Sequence, residues 1–160
     1  MSNNLPTPPL DQIDRQILNV LRRNGRATNK DVAAEVGIAQ STCLLRIRRL
    51  IDTKVIRGFH ADVDTGKLGL PLQAMVSVQL RNHSRTENDR FLRKAVQLPG
   101  VLSVSLMAGD DDYVLHVVAR DAESLSNFVL DALTSDPGIA GSHTKLVFRH
   151  LQGAGDWTRA

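Results

Sequence analysis

Three arginines, Arg46, Arg48 and Arg49, lie close together among leucines and isoleucines. A guanidinium group can bind a phosphate or the edge of a guanine base. Ser41 and Thr42 precede them, and hydroxyl groups near a helix N-terminus lie where phosphates bind favourably. These residue types and their spacing indicate a surface that binds a polyanion. The simpler interpretation is a charged helix face that meets only solvent.

The positive charge of the chain is concentrated around these arginines. The formal net charge is +3. Residues 22–57 carry 9 Lys and Arg against 3 Asp and Glu, a net charge of +6, whereas residues 65–160 carry 10 of each and are neutral. A local excess of positive charge favours a polyanionic partner more than a uniform excess would.

The composition limits the class of protein. With 160 residues, of which 42% are hydrophobic, the chain can bury the core of one ordinary domain or of two small ones. It has no apolar run of the roughly 20 residues that span a bilayer, and its N-terminus lacks the features of a signal peptide. Cys43 is the only cysteine, which excludes an internal disulfide and a cysteine-based zinc cluster. We therefore expect a cytoplasmic protein without a membrane partner.

Catalytic and metal-binding motifs are not visible in the sequence. The histidines show neither H-x-x-x-H nor H-E-x-x-H spacing, and neither a G-x-G-x-x-G motif nor a P-loop is present. We expect Cys43 to pack in a helix interface. The sequence thus predicts no catalytic residues, no metal site and no cofactor.

Three short helices are predicted in the N-terminal third. Residues 10–23 have the apolar spacing of one helical face, with Asp11 as N-cap. Thr28 is placed to cap a second helix, which ends at Gly37. A third helix is predicted over residues 41–52.

The third helix divides into two faces when its residues are set about 100° apart. Its apolar side chains fall within about 120° of one another, and they are Cys43, Leu44, Ile47, Leu50 and Ile51. The face that we expect to point outward carries Ser41, Thr42, Leu45, Arg46, Arg48 and Arg49.

A helix, a glycine turn and a second helix with a basic outer face are typical of a helix-turn-helix domain, whose second helix enters the major groove of DNA. Residues 54–64 mix β-branched and aromatic residues and predict a strand or wing, in which Arg57 would contact the DNA backbone. Leu45 would meet a thymine methyl group. The predicted DNA-binding residues are Thr28, Gln40, Ser41, Thr42, Leu45, Arg46, Arg48, Arg49 and Arg57.

The remaining sequence alternates between strand and helix periods. Strands are predicted at 73–80, 101–108, 113–119 and 142–151, and helices at 86–98, capped by Thr86, and 121–135. The order β-α-β-β-α-β is typical of a ferredoxin-like sheet with both helices on one face. We therefore expect an α+β protein with an N-terminal winged helix-turn-helix domain followed by a ferredoxin-like domain.

The predicted organisation has five parts. They are a flexible N-terminus (1–9), a helix-turn-helix domain with its wing (10–64), a linker with two glycines and a proline (65–72), the ferredoxin-like domain (73–152) and a tail (153–160) with no assigned role.

The face of the sheet that does not pack on the helices would have to be buried by a partner if it is apolar. Depending on the register, it would carry Met75, Val101, Met107, Val147 and Leu151. Because this is a large apolar content for a bare surface, we expect a homodimer that forms through the sheet.

The joined pattern resembles the Lrp/AsnC (feast/famine) family of transcriptional regulators from about Leu10 to Gln152. The motifs that carry the resemblance are LDQIDRQILNVLRRNGR, DVAAEVGIAQSTCLLRIRRL, KVIRGFHADVD and AGDDDYVLHVVA. The last is similar to the family's G-x-x-D-Y signature, with Gly109, Asp112 and Tyr113 in place. Ala39 departs from the family, in which a serine often caps the recognition helix, and Gln40 or Ser41 would then be the cap.

The resemblance implies a DNA-binding regulator whose ferredoxin-like domain senses an amino acid or a related small molecule. It also implies dimers that assemble into a tetramer or an octamer, with the ligand between dimers near the turn that joins the second and third predicted strands and near the last strand. The implied effector-binding residues are Met107, Ala108, Gly109, Asp110, Asp112, Thr144 and Leu146.

The chemistry of these residues suits an amino acid. Asp110 or Asp112 can pair with the ammonium group, amides near Gly109 can hold the carboxylate, and Met107 or Leu146 can line the side-chain pocket. The alternative is that the three aspartates form a solvated hairpin tip that prevents edge-to-edge pairing of sheets.

Two other functions stay open from the sequence. Some haem-pathway (sirohaem-type) decarboxylases look like this family, although such an enzyme would not need the basic helix face. A small-molecule sensor that acts through protein partners would also leave that face unused. Steep salt dependence of DNA binding would favour the regulator over the sensor.

Overall fold

A computed structural model of the chain describes residues 9–151, Gly153 and Gly155. The predicted flexible N-terminus lies outside the described residues except for its last residue, and so does most of the tail. The chain forms two compact units, one of residues 1–62 with 152–160 and one of residues 63–151. The predicted domains, residues 10–64 and 73–152, have boundaries that differ from those of the two units, and the finer five-part division remains a prediction.

The first unit contains three helices, α1 (Gln12–Arg23), α2 (Asn29–Val36) and α3 (Gln40–Asp52). The predicted caps of the first two are confirmed: Asp11 and Thr28 each form a capping box with the aspartate three residues further on. Gly37 ends α2 in the left-handed conformation, with φ of 75°.

The start of α3 differs from the expectation. The N-cap position is Ala39, which makes no side-chain hydrogen bond to the helix, so neither Gln40 nor Ser41 is the cap. The side-chain amide of Asn29 instead donates to the Gln40 carbonyl oxygen at 2.9 Å and links α2 to the first turn of α3.

The core of the first unit is small and comes from all three helices. Ile17, Val32, Cys43 and Leu50 are fully buried there. Burial raises the pKa of the Cys43 thiol, in keeping with a packed side chain. Leu44 and Ile51, both predicted to face inward, are instead 39% and 37% exposed, because the core on α3 is centred on Cys43 and Leu50.

A buried carboxylate holds α3 against α1. Asp14 has no exposed surface, and its Oδ1 atom accepts a hydrogen bond from Arg46 at 3.0 Å. Arg49 donates to the other oxygen, Oδ2. Arg46 also pairs with Asp11 at 2.6 Å. These contacts raise the pKa of Arg46, first through its hydrogen bond to Asp11. The amide of Asp14 and then Arg46 lower the pKa of Asp11.

The strand or wing predicted for residues 54–64 does not form within this chain. These residues contain no strand. The amide of Ile56 donates to the Leu50 carbonyl oxygen at 2.9 Å, which returns the chain to the core after α3. A strand needs a neighbour to satisfy its backbone groups, and the first unit has no other strand among its described residues.

The second unit is a four-stranded antiparallel sheet against which two helices pack, and its β-α-β-β-α-β order confirms the predicted ferredoxin-like fold. The strands are β1 (Leu72–Leu80), β2 (Val101–Leu106), β3 (Tyr113–Ala119) and β4 (Ile139–Leu146). They lie in the sheet in the order β2-β3-β1-β4. Helix α4 (Arg85–Ala95) follows β1, and α5 (Ala122–Phe128) continues as a π-helical segment, Val129–Thr134.

The ends of these elements differ in detail from the predicted ones. Ser84, not Thr86, caps α4, and its hydroxyl accepts from the Glu87 amide at 3.2 Å. Strand β4 begins and ends earlier than predicted. After α4, Gly100 has φ of +81°, and a Cβ atom there would lie 2.6 Å from the Val118 carbonyl oxygen, so only glycine fits.

One face of the sheet packs on the helices. The core there includes Val76, Val78, Tyr113, Leu115 and Phe91. The rings of Phe91 and Tyr113 have centroids 4.7 Å apart, a favourable tilted arrangement.

The other face is more polar than the sequence predicted. Val101 pairs with Val117 and packs against the core, so its placement on the open face was wrong. A shift of register between Val101 and Ser103 causes this, because it reverses the side of the sheet for the residues that precede it. The register places these side chains on the open face: Met75, Ser77, Ser103, Ser105, Val114, His116, His143 and Lys145.

A second ion cluster links α4 to the loop before β4. Asp136 is 5% exposed and pairs with Arg90 at 3.1 Å and Lys94 at 2.8 Å. It also accepts a hydrogen bond from the Gly138 amide at 2.9 Å. The hydrogen bond from Arg90 and then that from Lys94 lower the pKa of Asp136.

We expect Asp14→Asn to lower the free energy of unfolding of the first unit by about 1–3 kcal/mol, because it leaves two guanidinium groups beside a neutral amide. Urea unfolding followed by circular dichroism would measure the loss. Asp62→Asn, at an exposed position, is the control. Equal stability of the two variants would contradict the anchoring role of Asp14.

We expect the Asp136 cluster to make the second unit sensitive to acid. Because the folded-state pKa of Asp136 lies below the unfolded value, its contribution to stability is present above the unfolded pKa and is lost as the pH falls below it. Thermal melts between pH 6 and pH 3 should show a smaller loss of Tm in Asp136→Asn than in the wild type. Parallel losses would show that the cluster contributes nothing to the acid response.

Candidate nucleic-acid interface and ligand site

The exposed side of α3 forms a continuous surface that we call the reading face. It consists of Gln40, Ser41, Thr42, Leu44, Leu45 and Arg48, all of which are exposed. Leu45 is 66% exposed. Arg48 makes no ion pair with any residue in the described part of the chain. The reading face therefore offers a guanidinium group, hydroxyl groups and apolar side chains.

The three arginines do not share this face, so the expectation that all three point outward was wrong for two of them. The side chains of Arg46 and Arg49 are 27% and 40% exposed, and both pair with Asp14. The reason is that Asp14 is fully buried in α1 and needs cationic partners, which α3 supplies from the side that faces α1.

The other predicted DNA-binding residues lie at the edges of this surface. Thr28 uses its hydroxyl in the α2 capping box, where it donates to Asp31 at 2.6 Å. Arg57 is exposed in the segment after α3. The structure therefore keeps the Arg57 side chain at the surface, while it commits the Thr28 hydroxyl to the start of its own helix.

Sequence reasoning missed two features of the interface. Leu44 joins the reading face although its apolar character suggested burial. Asp14 is the anchor of α3, and a signal for it was present, because an aspartate three residues after an N-cap aspartate can accept hydrogen bonds from another helix as well as from the cap.

The second group of predicted site residues surrounds the turn between β2 and β3. Met107, Ala108, Gly109 and Asp110 are all exposed there. The turn is closed by a hydrogen bond from the Met107 amide to the Asp112 carbonyl oxygen at 2.8 Å. The side-chain amide of Gln79 donates to the Asp110 carbonyl oxygen at 2.7 Å, which ties the turn to β1.

Asp112 is engaged with its own chain. Its Oδ2 atom accepts a hydrogen bond from the Leu80 amide at 2.7 Å, and its Oδ1 atom lies 3.2 Å from Nδ1 of His83. Asp112 therefore holds the turn against the end of β1. Of the two acids considered for the ammonium group, Asp110 is the exposed one.

The last strand is not brought to this turn within one chain. Val78 pairs with Tyr113, next to the turn, whereas Ala74 pairs with Leu146. Along β1, the residue that pairs with Leu146 is thus four positions away from the residue that pairs with Tyr113. Four residues of a strand span roughly 13 Å. Thr144 and Leu146 are exposed at the sheet edge. A site that joins them to the turn would need a second copy of the chain.

The described residues contain no group of three or more His, Cys, Asp and Glu that could hold a metal ion. Within the same part of the chain, none of the helices is long and apolar enough to cross a membrane. Of the aspartates in the turn, Asp112 accepts the hydrogen bond from the Leu80 amide and Asp110 is exposed.

Comparison with known proteins adds independent information. Residues 10–51 match the model of the AsnC-type helix-turn-helix domain, and residues 73–154 match that of the Lrp/AsnC ligand binding domain. The chain is 47% identical to the HTH-type transcriptional regulator AldR of Mycobacterium tuberculosis over 145 residues, which are 91% of this chain and 81% of that protein.

Two further relatives lead to the same family. The leucine-responsive regulatory protein of Rhizobium meliloti is 34% identical over 91% of this chain and 93% of its own. The crystal structure of a transcriptional regulator from Neisseria meningitidis in complex with L-Met has a TM-score of 0.83 and 32% identity, and the match covers 91% of this chain and 94% of that one.

These relatives are regulators, so the decarboxylase alternative is set aside. The helix-turn-helix unit, the four-stranded ligand-binding fold and the two family matches agree over most of the chain. The chain belongs to the Lrp/AsnC family of DNA-binding transcriptional regulators, whose activity is modulated by a small molecule bound at the C-terminal domain.

Proposed function

We propose that the reading face of α3 enters the major groove of its operator, with Arg48 at the centre of the contact. An α-helix fits this groove, and a guanidinium group can bind the O6 and N7 atoms of guanine. Leu44 and Leu45 are placed beside Arg48 to meet thymine methyl groups. The observation that supports this most strongly is the exposure of Arg48 while its two neighbouring arginines are held by Asp14.

The proposed roles of the other residues follow from their positions. Gln40, Ser41 and Thr42 lie in the first turn of α3, where amides and hydroxyl groups bind phosphates. Arg57 would bind the DNA backbone, and Thr28 would approach it through the N-terminus of α2. We assign Arg46 and Arg49 to the positioning of α3, because their guanidinium groups are paired with Asp14.

We propose an amino acid as the effector, bound at the turn between β2 and β3. Asp110 would pair with the ammonium group, exposed amides at Ala108 and Gly109 would hold the carboxylate, and Met107, which is 47% exposed, would contact the side chain. The complex of the Neisseria relative with L-Met supports this class of ligand. Thr144 and Leu146 would be supplied by a second copy of the chain.

We propose a homodimer as the DNA-binding form. Phe148 and Leu151, which follow β4, are 98% and 79% exposed, and a partner would remove this apolar surface from water. A twofold dimer would place two copies of α3 on half-sites about 34 Å apart, one turn of DNA. Such dimers would build the tetramer or octamer of the family. We place this regulator in the cytoplasm, where its operator is.

We expect Arg48→Ala to weaken operator binding by about 1–3 kcal/mol, with relaxed sequence preference if Arg48 reads a base. Arg93→Ala, an exposed arginine on α4, is the matched control. Fluorescence anisotropy at several salt concentrations would measure both affinity and counterion release. Equal affinities of the two variants would remove Arg48 from the DNA contact, and an absence of salt-dependent binding would favour a sensor that acts through protein partners.

We expect at least one of the twenty amino acids to raise the Tm of the wild type in a thermal-shift screen, because a ligand that binds only the folded state stabilises it. Asp110→Asn should lose this shift, since it removes the charge that pairs with the ammonium group. Asp111→Asn is the control with the same change of charge one residue away. A wild-type shift in Asp110→Asn would remove Asp110 from the site.

A further inference from the structure

A groove with mostly apolar walls lies beside the C-terminal half of α1 in the first unit. Its volume is about 460 Å³. Helix α1 forms one wall, and residues 55–60, which follow α3, form the other. The apolar side chains of the groove are Leu18, Leu21, Val55, Ile56 and Phe59. Phe59 is 51% exposed, so the groove presents an aromatic ring to solvent.

Arg22 lines this groove and binds the C-terminal tail. Its Nη1 atom donates to the Gly153 carbonyl oxygen at 2.8 Å, and its Nη2 atom donates to the Gly155 carbonyl oxygen at 2.9 Å. Two bonds from one guanidinium group to carbonyls two residues apart fix the direction of the tail as well as its position. Residues 152–160 accordingly group with the first unit.

The sequence beyond these two bonds supplies a suitable occupant. Trp157, the only tryptophan of the chain, is two residues beyond Gly155, so its Cα atom lies within about 7 Å of that of Gly155. Its neighbours are small or polar, so it is the only large apolar side chain of the tail. Asp156 precedes it, and Arg57 lines the groove, so opposite charges would meet if the indole ring enters.

We propose that residues 156–160 of the chain bind in this groove, with the indole ring of Trp157 packed on Phe59. The indole buries a large apolar area there, and its N–H group can stay at the wet rim. Arg22 sets the path of the backbone into the groove. The occupant is the chain's own C-terminal segment, which follows β4 of the ligand-binding domain.

Docking of the tail would anchor the second of the two segments by which the chain passes between the units. The chain leaves the first unit after residue 62 and returns to it at residue 152. A seated Trp157 would clamp residues 55–60, which include the proposed DNA contact Arg57, against α1. The last strand of the ligand-binding domain would then be joined to a segment of the DNA-binding domain. This inference does not depend on the identity of the effector.

The single tryptophan allows a direct test by intrinsic fluorescence of the full-length protein. The wild type should show a blue-shifted emission maximum and acrylamide quenching severalfold weaker than after unfolding in urea. Phe59→Ser should shift the emission to the red and strengthen quenching severalfold. Leu68→Ser is the matched control, because Leu68 is an apolar residue that is 66% exposed and lies in the second unit. Wild-type emission like that of free indole, or no change in Phe59→Ser, would overturn the proposal.

A second pair of variants tests the role of Arg22 without touching the apolar wall. Arg22→Gln should raise quenching of Trp157, whereas Arg26→Gln, in the turn after α1, should not. Trp157→Ala should also speed hydrogen exchange of the amides of residues 55–60 severalfold. Unchanged exchange would contradict the clamp. Emission that shifts to the red on dilution would mean that the tail occupies the groove of a second copy, and would overturn intrachain docking.

Discussion

The geometry of the DNA-binding unit depends on one buried carboxylate. Asp14 faces the unit's small core without exposed surface, and its two oxygens each accept a hydrogen bond from an arginine of α3. A buried charge without partners would be costly, so Arg46 and Arg49 must stay on the side that faces α1. This requirement fixes the rotation of α3 about its axis, and the rotation in turn decides that Arg48, with Leu44 and Leu45, is presented outward. The three arginines of α3 therefore divide into two that hold the helix against α1 and one, Arg48, that stays exposed at the surface.

Much of the fold follows from local signals in the sequence. The capping aspartate and threonine of α1 and α2, the left-handed Gly37 and the β-α-β-β-α-β order are all set by short-range chemistry, and the structure has them as predicted. The residues whose orientation was predicted wrongly are those whose orientation is determined by tertiary contacts. A helical-wheel projection of α3 separates its polar residues from its apolar ones, but it contains no information about the buried Asp14 of α1. The projection therefore predicted that Arg46 and Arg49 face solvent, whereas both pair with Asp14. Likewise, alternation along β2 does not reveal the register shift that turns Val101 towards the core.

The orientations and contacts of the predicted ligand-binding residues also depend on tertiary contacts that the sequence pattern does not reveal. The turn between β2 and β3 could be found from its sequence motif, and its exposed residues are where a hairpin places them. What the sequence could not show is that Asp112 is committed to the Leu80 amide, which leaves Asp110 as the accessible acid. Nor does a linear motif indicate that β4 lies on the far side of β1, which keeps Thr144 and Leu146 apart from the turn within one chain.

The bonds of Gln79 and Asp112 to the turn and to β1 have a consequence for the ligand site that we propose there. A loop that is ordered by contacts within its own subunit has already lost its conformational entropy during folding. The binding of a small ligand therefore does not include the free-energy cost of ordering that loop. Preorganisation of this kind would favour the binding of a ligand as small as an amino acid at the proposed site. A ligand bound there would also be coupled rigidly to β1, because the turn is already hydrogen-bonded to that strand.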